Sequence, residues 1–221
     1  MEPTEAREKR RQDFLDWDVE HLLPETIGNY RFHRIDKQVD RIYYAFGYID
    51  DDSGWEVRVL FDEETMDFMV KTDIHLFTMT NIDLITGNFD VFKEKLPLLL
   101  EKDLRRELIE RPISVIVAGR GFTTWDFEKV LPETIGGYRR MVTPDRPILG
   151  LNGSYIIAMY ENQKARRGML FFYNMFRNEY YAEKYADGNP IIMHDYDAKS
   201  IADFSKKIEK GLADELGNEN A

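Results

Sequence analysis

His194-Asp195-Tyr196-Asp197 is the densest grouping of side chains able to move a proton. An imidazole beside a carboxylate is a common acid–base pairing. In an extended backbone, however, Asp195 and Asp197 face one side and His194 the other. That geometry separates the ring from both acids, and a structural use is expected. Asp197 or Ser200 would cap the helix that follows. Asp195 also aligns with Asp83 at an offset of 112, and both precede a helical pattern. His21, His33 and His75 are scattered, and no spacing suits a zinc ligand set. The chain has no cysteine, which excludes thiol catalysis, a disulfide scaffold and cysteine-ligated metal sites. No catalytic residue, metal ligand or cofactor is assigned.

Two further segments have the composition of ligand loops but not the spacing. Asp50-Asp51-Asp52-Ser53-Gly54 starts like a calcium loop. With Gly54 at loop position six, position one is Ile49 and position twelve is Leu60, where an EF-hand needs acids. A solvated hairpin turn is expected instead. Gly119-Arg120-Gly121 is too short for a phosphate loop, and no Walker motif, dinucleotide fingerprint or nucleophile elbow occurs.

The strongest pattern is a repeat. Residues 17–31 read WDVEHLLPETIGNYR and residues 125–139 read WDFEKVLPETIGGYR, identical at 11 of 15 positions with an offset of 108. Leu-Pro-Glu-Thr-Ile-Gly recurs without change. It differs from a sortase signal because Ile27 and Ile135 separate threonine from glycine. Tyr43 and Tyr48 match Tyr155 and Tyr160 at an offset of 112, so four residues were gained or lost before Tyr43. Glu25, Thr26, Glu133 and Thr134 are the candidate binding residues. In a structural reading they satisfy backbone groups in a loop between helix and strand, with Trp17 and Trp125 packed beneath. In a functional reading, polar pairs retained beside drifting strands form twin binding sites across a pseudo-axis.

These loops need elements to hold them. The expected fold class is α+β, an internal duplication of an α–β(3–5)–α unit with antiparallel sheets, helices on one face and pseudo-twofold symmetry. The expected domains are a charged helical extension at 1–12, a first repeat at 13–110, a connecting segment at 111–120, a second repeat at 121–217 and a tail at 218–221. Each repeat is expected to open with a helix, over Phe14–Leu23 and Trp125–Leu131, that stops at Pro24 or Pro132. Gly28 and Gly136 are expected to adopt positive φ before strands that start at Tyr30 and Tyr138. Strands are expected at 41–49, 55–61, 66–72 and 74–80 in the first repeat. In the second they are expected at 154–161, 168–173, 179–185 and 190–194. Closing helices are expected at 89–110, with a kink or break at Pro97, and at 200–216. Ile113–Ala118 reads as an extra strand. The layout resembles, at the level of fold alone, the pseudo-symmetric saddle of the TATA-binding protein.

Charge narrows the function classes. The chain of 221 residues carries a net charge of −11. Residues 1–110 hold 15 Lys and Arg against 26 Asp and Glu, and the remainder holds 15 of each. An acidic chain repels nucleic-acid phosphate, which argues against DNA or RNA as partner. No apolar run is long enough to span a bilayer, and the charged N-terminus lacks the apolar core of a signal peptide. A cytoplasmic location is expected. The leading expectation is a non-enzymatic protein that binds a protein or peptide with a basic surface, using an apolar patch or sheet edge rimmed by acids of the first repeat. The alternatives are a small-molecule-binding protein and an uncharacterised enzyme, each with a cleft between the repeats. The sequence carries no signal for oligomeric state.

Overall fold

Alternating and continuous apolar runs rich in Tyr, Phe and Val build two sheets in the computed structural model, which describes residues 3–150 and 152–217. The chain divides into two units between Ile109 and Glu110. The first holds α1 (Pro3–Leu15), β1 (Thr26–Ile27), β2 (Tyr30–Val39), β3 (Ile42–Asp50), β4 (Glu56–Asp62), β5 (Asp67–Asp73), β6 (Thr78–Thr86) and α2 (Phe89–Leu104). Its six strands form one antiparallel sheet in sequence order. Short turns permit only antiparallel return, so neighbours in sequence become neighbours in space. Phe68 of β5 collects rings from both helices. Phe14 of α1 lies 5.1 Å away, and Phe89 and Phe92 of α2 lie at 4.9 and 5.6 Å. Both helices therefore cover the same face. Asn88 caps α2 by accepting from the N–H groups of Asp90 and Val91. At the far edge, Asn81 pairs with Val70 and Thr86 with Phe68, so residues 82–85 bulge opposite Met69 alone.

The second unit holds β7 (Thr134–Ile135), β8 (Tyr138–Val142), β9 (Ile148–Leu149), β10 (Ser154–Asn162), β11 (Arg167–Asn174), β12 (Glu179–Ala186), β13 (Asn189–Ile192) and α3 (Ile201–Gly217). The sheet order is β13-β12-β11-β10-β8-β7, with β9 also on β10. α3 buries Phe204, Ile208, Leu212 and Leu216 at four-residue spacing, the stripe of an amphipathic helix. Ser200 caps it, its Oγ accepting from the Asp203 N–H at 3.2 Å. Residues 111–120 fold with this unit: Val117 joins its core, and the Ser114 N–H donates to the Tyr155 hydroxyl at 3.0 Å. Residues 218–221 lie outside the described residues.

Several expectations are corrected. The sequence predicts three to five strands per unit, whereas the sheets have six and seven. The strands β1, β7 and β9 have two residues each, too few to show alternation. The opening helices are not formed as expected. α1 stops at Leu15, and residues 17–23 are turns in which Val19 and Leu23 are buried but Leu22 is exposed. Asp16 and Asp18 favour turns, and Pro24 closes the segment before a helix can propagate. In the second unit only the 3₁₀ turns Gly121–Thr124 and Phe127–Lys129 replace the helix. α2 runs through Pro97 because Phe92, Leu96 and Leu100 anchor both sides. The ladder changes only at Arg105–Glu110, a π-helical turn. Ile113–Ala118 is not a strand: the Ser114 carbonyl accepts from Val117 and Ala118 and curls the segment into a turn. The strand expected from Ile74 begins at Thr78. The strands form two sheets among the described residues. No helix among them is long and apolar enough to cross a membrane.

Candidate functional site

Leu-Pro-Glu-Thr-Ile-Gly forms the first arm of a tight hairpin at the edge of each sheet. Thr26 pairs with Arg31 and Ile27 with Tyr30; Thr134 pairs with Arg139 and Ile135 with Tyr138. The entry turns also correspond. The Leu23 N–H donates to the Val19 carbonyl at 3.2 Å, and the Leu131 N–H to the Phe127 carbonyl at 2.8 Å. The Glu25 carbonyl accepts from the Phe32 N–H at 2.9 Å, and the Glu133 carbonyl from the Arg140 N–H at 2.8 Å. A buried tyrosine then clamps each proline from the neighbouring long strand. The Tyr48 hydroxyl donates to the Pro24 carbonyl and the Tyr160 hydroxyl to the Pro132 carbonyl, both at 2.6 Å. Tyr48 pairs with Phe32, and Tyr160 with Arg140. Burial pushes both phenols up. Glu101 adds to this at Tyr48, and Arg140 opposes it at Tyr160.

Four of the six repeated residues thus have a structural duty. Leu23 and Leu131 are buried, as is Ile27, while Ile135 packs partly buried on the second core. The two prolines supply the clamped carbonyls. Gly28 and Gly136 have φ of 61° and 53°, the left-handed region that glycine enters without strain. A Cβ on Gly28 would lie 2.6 Å from Ile109 Cδ1, and one on Gly136 would collide with the Leu216 carbonyl. The remaining two residues differ. Glu25, Thr26, Glu133 and Thr134 are exposed. Their side chains make no hydrogen bond or ion pair among the described residues. The expected capping of backbone groups by these side chains is absent, and the backbone does that work instead. Trp17 does pack beneath, 5.6 Å from Phe89, and Trp125 lies 6.5 Å from Phe204.

Each hairpin also has a charged brace that sequence comparison misses. Arg34 Nε donates to Glu20 Oε1 at 2.8 Å, and Arg140 Nη2 donates to Glu128 Oε1 at 3.0 Å. The two glutamates correspond at the offset of 108, but the arginines do not. Only the acid end of the brace is visible as a repeat. Elsewhere in the first unit, Asp50 opens the expected hairpin turn. Burial raises its pKa, but hydrogen bonds from Ser53, Asn29 and the N–H groups of Asp52 and Ser53 outweigh burial and hold it below the usual carboxylate value. On the outer edge of β6, Ile82 (61% exposed) and Ile85 (40%) flank exposed Asp83.

The acid–base cluster is also corrected. Residues 194–196 form a 3₁₀ turn rather than an extended segment, which brings His194 Nδ1 to 2.9 Å from Asp197 Oδ2. Asp195 is exposed and stays out of the pair. His194 and Asp197 border a cavity of about 720 Å³ with Glu179 and Lys199. Both members of the pair face water, at 79% and 51% exposure. Tyr180 and Tyr181 also line the cavity, with no serine, threonine or cysteine among its described lining residues. Among the described residues, no group of three or more His, Asp or Glu is placed to hold a metal ion. Comparison with protein-family models, curated proteins and solved structures finds no match.

Proposed function

We propose that this chain is an internally duplicated, non-enzymatic protein- or peptide-binding protein. It recognises Lys- or Arg-bearing segments through Glu25–Thr26 and Glu133–Thr134. The observation that carries this reading is the division of labour within Leu-Pro-Glu-Thr-Ile-Gly. Leucine, proline, isoleucine and glycine hold the hairpin in both units, while glutamate and threonine project without a partner. The matched clamps, registers and glycine contacts support descent of both units from one duplicated ancestor. The four-residue offset falls where β2 continues to Val39 but its counterpart β8 ends at Val142.

The excess of acids in residues 1–110 would attract a basic partner at long range. Recognition is by side chains rather than strand addition, because β1 and β7 offer only two residues each. The test is fluorescence anisotropy with labelled Lys/Arg-containing peptides and acidic control peptides. The Glu25→Gln/Glu133→Gln double variant is the comparison. A charge-assisted contact contributes about 1.5–3 kcal/mol, so the variant should bind basic peptides roughly tenfold or more weakly. Its unfolding midpoint should not change, and wild-type binding should weaken with salt. Loss of stability without loss of binding, or no saturable binding of any basic peptide, overturns the reading.

A further inference from the structure

A second kind of site lies in the second unit, at the Gly119-Arg120-Gly121 segment. Gly119 and Gly121 have φ of 74° and 53°, and between them the chain presents Arg120 at the border of a cavity of about 460 Å³. That volume falls within the usual range of small-molecule sites. Tyr173 and Tyr180, 4.9 Å apart and tilted by 42°, form an aromatic wall. Val117 and Ile201 supply aliphatic surface, and Lys199 is a second cation at the border. The wall is fixed from behind. Tyr180 stacks on Phe204 at 5.0 Å, Phe122 lies 5.3 Å from Tyr173, and the Tyr173 hydroxyl donates to Asn178 Oδ1 at 3.0 Å. A Cβ on Gly121 would collide with the Tyr180 hydroxyl, so only glycine lets the segment approach this wall.

The two cations are not equivalent. Lys199 Nζ already donates to Glu179 Oε2 at 2.8 Å. The Arg120 guanidinium has no ion pair among the described residues, although its backbone N–H is bonded to the Val117 carbonyl and Thr123 Oγ1. The lining therefore combines a fixed aromatic wall, aliphatic contacts and one uncommitted guanidinium. A flat apolar body packs on tyrosine rings in stacked or edge-to-face geometry. A carboxylate is the planar anion that a guanidinium grips with two parallel N–H donors. We infer that this cavity binds a small aromatic monocarboxylate, with the ring against Tyr173 and Tyr180 and the carboxylate on Arg120. The site is independent of the glutamate–threonine hairpins, so the two readings stand or fall separately.

Nuclear magnetic resonance of the full chain tests it, with phenylacetate and indole-3-acetate as probes and 2-phenylacetamide as the neutral control. Saturable shifts of the Gly119, Gly121 and Ile201 amides are expected with either carboxylate. The amide control should bind at least about tenfold more weakly, since the charge-assisted contact is lost. Arg120→Gln should weaken carboxylate binding to a similar degree with an unchanged thermal midpoint, and Arg120→Lys should restore part of it. Absence of saturable shifts with both carboxylates overturns the inference. So do shifts confined to other residues, or binding that survives Arg120→Gln.

Discussion

Tyr48 and Tyr160 each place one hydroxyl on one proline carbonyl, and the ring stays buried whether or not that bond exists. Tyr48→Phe and Tyr160→Phe keep the ring and strand the carbonyl. Each should cost about 1–3 kcal/mol in urea unfolding. The glycines of the same hairpins should respond unequally to alanine. At Gly28 the obstacle is the tip of a flexible isoleucine, whereas at Gly136 it is helix backbone. Gly136→Ala should therefore be the more destabilising, with both paying the strain of positive φ. Asp50 has a pH signature. Its pKa is lowered on folding, so its contribution is present above the unfolded value of about 3.9 and is lost as pH falls through the folded value. Asp50→Asn should flatten the dependence of stability on pH below about 4, measured by urea midpoints.

Among the elements, the long strands were legible because their apolar runs lie between turn residues, as in Ile42–Asp50 before Asp51-Asp52-Ser53-Gly54. The closing helices were legible because their buried residues recur every three or four positions. The openings depart from the expected helices for a physical reason. Phe14, Trp17, Val19 and Leu23 are all buried, but through an aromatic cluster and successive turns rather than along one helical stripe. Phe14→Ala and Leu22→Ala separate the two readings. Phe14 is 1% exposed and should cost about 3–5 kcal/mol, while Leu22 is 56% exposed and should stay within about 0.5 kcal/mol. A helix burying one broad stripe would make both substitutions costly. The Leu-Pro-Glu-Thr-Ile-Gly hairpins were visible as a repeat, but the exposure of their glutamates and threonines was not, because self-similarity alone does not mark which residues are buried. The Arg120 cavity left no trace in periodicity, since its walls come from four separate stretches of chain.

Across the whole molecule, tyrosines in both units share one electrostatic property. Burial pushes Tyr43, Tyr180 and Tyr196 up to about 12, with Tyr48, Tyr160 and Tyr185 shifted in the same direction. A raised folded pKa gives stability that is complete below the unfolded value of about 10 and is lost as pH rises through the folded value. Stability should fall between about pH 10 and 12, and ionisation of these six tyrosines, followed by tyrosinate absorbance against Tyr→Phe variants, should accompany unfolding rather than precede it. The ends of the sheets have a different consequence. β1 covers only Tyr30 and Arg31 of β2, whose remaining edge is broken by the irregularity between Arg34 and Lys37; β7 is two residues long, the edge of β6 is broken by its bulge, and the four residues of β13 include Pro190. An open edge that is long and flat recruits strands from other chains and seeds fibrils, and each of these edges is too short, too bent or missing a donor. With Tyr and Phe so abundant, straight edges would favour cross-β aggregation, and such blunted borders should keep the turbidity of concentrated solutions low.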